Sequence, residues 1–281
     1  MKKTIIILII IALISSFGGL VWYGIRHSRG IPVSPEEAKR VTLEAPFIDK
    51  GVDLASGISG ELWETIAPKE VKLMYQVMVL PWPKVVIPSV TVKAFNNGHE
   101  IYFYMSWKDD TEDRVHEINR FSDACAVMFP LGKDVQPSTI MMGFIGRANI
   151  WQWKASQDRE FYLKEGPVVK AYADFHYPFE EKELFPVSKH EPKSAANDLI
   201  AIRVGTVTPK EDQGEVEARG FWQDGYWHVV FKRVFDAEDP EVDAVFERGK
   251  KRLCAFAAWN GSRGDRGGRK SISDWVELEV R

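Results

Sequence analysis

The sequence predicts a mainly β fold, an antiparallel sandwich or barrel of roughly 240 residues carried on one N-terminal hydrophobic segment. Three observations predict it. Short stretches of alternating apolar and polar residues recur between Gly, Pro and Asp turns. Aromatic content is high, with ten Trp and sixteen Phe, which suits a pleated, half-buried surface. The first 25 residues hold an uncharged run, TIIILIIIALISSFGGLVWYGI at 4–25.

That run is long enough to cross a hydrocarbon core of ~30 Å at about 1.5 Å per residue. A cleaved export signal is the alternative, although its core is usually shorter and no clean small-x-small site follows. Trp22 and Tyr23 stand where an interfacial aromatic belt belongs. Lys2 and Lys3 are balanced by Arg26 and Arg29, so charge alone does not orient the segment. The simplest arrangement leaves the body exported, on the periplasmic or extracytoplasmic side. The chain therefore divides into a membrane anchor or signal at 1–29, a polar linker at 30–44 and a globular domain at 45–281.

Within the domain the clearest element is a hairpin. Residues 90–95 and 101–107 alternate on either side of Asn96-Asn97-Gly98. Further strands are expected at 124–129, 149–154, 199–207, 215–222, 227–235, 253–259 and 275–280. Residues 157–197 are charged, Pro-containing and without clean periodicity, and read as a long surface insertion. Residues 236–252 hold Asp239-Pro240-Glu241, which suits a helix start or an extended loop.

Several chemistries are excluded. A net charge of −3 leaves no basic footprint for nucleic acid. Two distant cysteines, Cys125 and Cys254, form neither a disulfide scaffold nor a zinc or iron–sulfur ligand set. There is no CxxCH for covalent haem, no P-loop, no GxGxxG, no HExxH and no GxSxG. The six His are scattered, and nothing assembles an enzyme active site.

Three blocks carry a different signal: RFSDACAVMFP at 120–130; IMMG at 140–143 followed by ANIWQWKA at 148–155; and AFAAWNG at 255–261 followed by GGRKSIS at 267–273. With GFWQDGYWHVVFKR at 220–233, these resemble the haem b-binding γ subunits of the type II dimethylsulfoxide reductase group. Ethylbenzene, dimethylsulfide, selenate and chlorate dehydrogenases or reductases typify that group. The resemblance runs from about residue 41 to 281, with the motifs in order. It implies an immunoglobulin-like or DOMON-like β-sandwich that holds one non-covalent haem b between a Met and a Lys. By motif these are Met142, with its neighbour Met141 as competitor, and Lys270. Asn149, Trp151 and Arg266 are the further candidates for cofactor contact, Arg266 because arginine suits a propionate carboxylate. A core role for the tryptophans and a solvated loop for the arginines stand beside these readings.

The resemblance implies an electron-transfer subunit without catalysis of its own, working with an iron–sulfur β subunit and a molybdenum-cofactor α subunit. The apolar N-terminus and the length of the 157–197 insertion depart from the family pattern. A carbohydrate-binding module displaying aromatics of the Trp222–Trp227 hairpin is the rival reading, and a membrane-tethered scaffold the third.

Overall fold

The computed structural model describes residues 40–56, 60–76, 80, 82, 85–117, 119–131, 145–165, 193–203, 206–210, 215–237 and 239–281. The 1–29 anchor, most of the 30–44 linker, Met141, Met142 and most of the 157–197 insertion lie outside these residues. One compact unit spans Val41–Arg281. No helix among the described residues is long and apolar enough to cross a membrane.

The strands are β1 (Thr42–Ala45), β2 (Lys69–Tyr75), β3 (Ser89–Asn96), β4 (Glu100–Lys108), β5 (Ala124–Pro130), β6 (Ile145–Lys154) and β7 (Ala196–Arg203). They continue as β8 (Thr208–Pro209), β9 (Glu217–Gln223), β10 (Tyr226–Val234), β11 (Lys251–Trp259), β12 (Ser271–Ser273) and β13 (Val276–Val280). Two short helices, α1 (Gly60–Glu64) and α2 (Ala155–Leu163), complete the described elements. The strands form one continuous sheet in the order β8-β7-β6-β5-β11-β12-β2-β3-β4-β10-β9. Every pairing along that path is antiparallel. β1 adds a parallel pairing with β13, which also pairs with β11.

The sheet folds back so that its two halves enclose the main core. Phe103 of β4 meets Phe129 of β5 and Trp151 of β6, and Trp153 of β6 meets Trp227 of β10. Alternation puts Val127, Phe129, Trp151, Trp153 and Phe256 on this inner face. Close packing leaves no room at Gly220, where an added Cβ would stand 2.1 Å from the Trp153 ring. The β9–β10 hairpin closes through Asp224 and Gly225, both at positive φ, as a two-residue primed turn requires.

The expected hairpin is present as β3 and β4, and the other expected strands appear with shifted ends. Four strands were not expected: β1, β2, β8 and β12. β1 takes Thr42–Glu44 out of the expected linker and pairs them with Glu277–Glu279. The expected surface insertion at 157–197 opens instead as α2, because Asp158 accepts from the Trp153 indole (2.9 Å) and the Gly220 N–H (2.8 Å) and docks the helix on the sheet. Residues 239–250 form turns and loop leading into β11, with no helix. Both cysteines are free and buried.

Candidate cofactor site

The strands β5, β6, β7, β11 and β12 bury a second apolar layer on the face opposite the main core. Its composition follows from the alternation that fills the core: Ala124, Ala126 and Met128 of β5 point here while Cys125, Val127 and Phe129 point inward. Ala148 and Ile150 of β6, Leu199 and Ala201 of β7, and Ala255, Ala257 and Trp259 of β11 extend the layer. Cross-strand register aligns them in rows, Leu199–Ile150–Met128–Ala255 and Ala126–Ala257–Ile272. Six alanines, with Met128, Ile150, Leu199 and Ile272 among them, make an apolar floor.

Lys270 enters this floor from its edge. The residue is 8% exposed, and its Nζ lies 4.9 Å from the centre of the Trp259 ring. Its position one step beyond the Ala258–Ser271 pair places it on the same face as Ile272, which belongs to the floor. The serines between have the opposite task. Ser271 Oγ accepts from Ile87 N (2.9 Å) and Ser273 Oγ accepts from Phe256 N (2.8 Å), so their hydroxyls fasten β12. The Lys270 carbonyl accepts from Gln76 N at 3.1 Å. Burial pushes the Lys270 amine down to about 8, because a charged ammonium is disfavoured away from water.

The turn before Lys270 is built from buried carboxylates. Asn260 caps a single 3-10 turn, Gly261–Arg263, by accepting from Arg263 N. Its amide donates to Asp109 at 2.8 Å, and its own N–H donates to Asp265 at 3.1 Å. Asp123 accepts from Gly261 N (2.7 Å), Asp113 N (2.8 Å) and the Trp227 indole (2.9 Å), joining the turn to the body. Burial, with a neighbouring acid in each case, pushes Asp109 up to about 6 and Asp123 up to about 7. Trp259 closes the far side by donating its indole N–H to Gly267 O at 3.0 Å.

The remaining candidates stand elsewhere. Asn149 and Trp151 face the main core: the Trp151 indole donates to Asn149 Oδ1 at 2.9 Å, and the Asn149 amide donates to Asp198 at 2.6 Å. Arg266 is exposed, its guanidinium 4.6 Å from the centre of the Phe121 ring, with a bond to Gly264 O. Met128, which sequence reading did not single out, presents a buried thioether on the floor; only strand register reveals its facing. Asp198, Glu215 and Asp243 form the one converging set of three possible metal-ligating acids among the described residues. Lys210 Nζ lies 3.0, 4.0 and 2.5 Å from them, so an ammonium already fills that centre.

The site can therefore hold a flat apolar group against alanines and offer it one weakly basic amine. That fits a haem with a lysine ligand. The rival sugar platform fits less well, since Trp227 is buried in the core and the Trp222 indole is bonded to Asp109 O.

Comparison with known proteins points to a family. The chain is 27% identical over 222 residues to the Haloferax mediterranei protein named "Putative respiratory nitrate reductase heme subunit ORF7", covering 78% of this chain and 66% of that one. It is 22% identical to the chlorate reductase subunit gamma of Ideonella dechloratans, covering 67% of this chain and 64% of that one. The chain thus spans just under two thirds of the length of each of these relatives. Among solved structures, a family 9 carbohydrate binding module from Caldicellulosiruptor kristjanssonii aligns with 85% of this chain and 96% of its own at a TM-score of 0.42 and 7% identity, too loose to bear on function. The ethylbenzene dehydrogenase family model matches residues 61–271, most of the described domain and its buried lysine included, and the chain belongs to that family.

Proposed function

We propose that this chain is the haem b electron-transfer subunit of a molybdenum oxidoreductase complex, with Lys270 and a methionine as axial ligands. The observation that carries the reading is the buried Lys270 at the edge of the alanine floor. A lysine ligates iron only as the neutral amine, and burial favours that form. A thioether is a soft partner that raises the potential of the iron. Met142 is the proposed second ligand, with Met141 and Met128 as the competitors.

The haem supplies a one-electron couple. The chain's own residues do the rest: the alanines admit a planar ring at close range, the floor excludes water, and the Asn260–Asp109 and Gly261–Asp123 bonds fix the turn that delivers Lys270. A haem held by Lys270 and a methionine would leave no position for a substrate, so the subunit would relay electrons and not catalyse. The relatives' names, a respiratory nitrate reductase heme subunit and a chlorate reductase gamma subunit, support a place in a reductase complex, and the partners proposed there are an iron–sulfur and a molybdenum subunit. The uncharged run at 4–25 would anchor it, with the immunoglobulin-like or DOMON-like domain exported.

A visible spectrum of the natively purified chain, oxidised and reduced, with a pyridine haemochrome assay tests the reading. A b-type haemochrome at about one per chain is expected. Lys270→Ala and Met142→Ala are expected to alter the spectrum, with Met141→Ala and Met128→Ala as comparisons. A colourless protein after expression with ample haem and its partner subunits would sink the proposal.

A further inference from the structure

The indole N–H of Trp275 is buried, stands on the alanine floor, and has no hydrogen-bond partner among the described residues. A buried donor left unpaired is costly and rare in native folds. The other indoles of this half of the sheet are satisfied: Trp151 by Asn149, Trp153 by Asp158, and Trp259 by Gly267 O. Two more orphaned indoles, Trp63 and Trp107, lie away from the floor, in the layer against α1 and in the main core. Among the indoles of the described residues, Trp275 alone brings a buried, unpartnered N–H to this surface.

Its place along the floor is informative. Trp275 precedes Val276, which pairs with Cys254, so it sits at the Ala255 end of β11. Lys270 sits at the Trp259 end, four residues away, or about 13 Å along the strand. Between them lie Ala255 and Ala257. A single trapped water would need two to four polar partners, and this layer supplies apolar ones. The acceptor has to arrive on an otherwise apolar ligand. Asp274 does not serve, since its carboxylate accepts from the main-chain N–H of Trp275 at 2.7 Å.

The geometry points to Trp275 as the donor to a carboxylate arm of the haem, holding one end of the ring while Lys270 holds the iron. This assignment rests on the haem reading above and adds a residue that orients the ring within the site. A bond from a neutral donor to a charged acceptor is a strong one.

The test is haem release from the full-length chain to excess apomyoglobin, comparing wild type, Trp275→Phe and Lys270→Ala. Each is loaded with protohaem or with its dimethyl ester, whose arms carry no charge. Trp275→Phe keeps the ring and removes the N–H. It is expected to release protohaem about ten- to a hundredfold faster than wild type, with the difference largely gone for the ester. Wild type is expected to release the ester faster than protohaem, a comparison that needs no variant to fold. Equal release of protohaem by wild type and Trp275→Phe, or equal acceleration with both haems, would overturn the assignment. If Lys270→Ala changes the spectrum while Trp275→Phe changes nothing, this inference alone fails. If wild type takes up no haem, the underlying reading fails with it.

Discussion

Lys270 and Trp259 face each other across the β11–β12 ladder, the amine 4.9 Å from the centre of the indole ring. The same indole donates to Gly267 O, three residues before the lysine. One side chain thus sets both the path of the turn and the resting place of the amine. Trp259→Phe keeps the ring face and removes the bond, and should cost about 1 kcal/mol. Trp259→Ala removes both and should cost about 3–5 kcal/mol. Denaturant unfolding of the two variants measures the difference, and equal losses would mean that the ring face contributes nothing beyond the indole bond.

Gly261 is held where nothing larger fits. A Cβ there would stand 1.9 Å from the Phe121 carbonyl oxygen. Gly261→Ala must push the turn off the Asp123 carboxylate, with an expected loss of about 3 kcal/mol. Haem content should fall alongside, since this turn carries Lys270. A variant with wild-type midpoint and haem content would show that the turn can shift freely.

Asp109 and Asp123 make the turn sensitive to pH. Both have folded values raised by burial, to about 6 and about 7, above the unfolded carboxylate range near 4. A raised acid contributes stability that is full below the unfolded value and is lost as pH climbs through the folded one. The domain should therefore lose stability between about pH 4 and pH 7 from these two groups. Asp109→Asn should flatten that slope, because it removes one titration and the charge that lifts Asp123. Unfolding midpoints at a series of pH values report it, and an unchanged slope in the variant would refute the coupling.

Lys210 holds three acids together at the β7–β8 edge. Removing it leaves Asp198, Glu215 and Asp243 facing one another, with Arg233 paired to Glu215 and Asp243. Lys210→Ala should cost about 3–5 kcal/mol. The vacated centre has the oxygen ligands of a hard cation, so millimolar Ca²⁺ should restore part of the loss. Thermal melts of the variant with Ca²⁺ and with chelator decide this, and no response to Ca²⁺ would mean the carboxylates separate instead.

The sequence made most of the strands visible; of the four it hid, β1, β8 and β12 are four residues or shorter, and the seven-residue β2 is the exception. β3 and β4 alternate cleanly around Asn96-Asn97-Gly98, so local pattern was enough. β12 is three residues of Ser-Ile-Ser, below the length at which alternation carries information. Its existence depends on Ile87, Phe256 and Gln76, all distant in sequence. α2 was missed for a similar reason: its cap residue Lys154 makes no side-chain cap bond, and the helix is stabilised by Asp158 reaching Trp153 and Gly220. In the site, the family motifs identified Lys270 but gave no facing for their other members. Asp123, Asn260 and Gly261, read as motif letters, are the bracket of the lysine turn. Asn149 and Trp151 belong to the same blocks and face the other way, which only the register of β5 and β6 reveals.

Cys125 and Cys254 lie fully inside the fold as thiols, and burial pushes both well above their ordinary range. Once folded, the domain needs no oxidant and presents neither sulfur as a thiolate. A reducing or an oxidising compartment would then leave the covalent state of the folded domain the same.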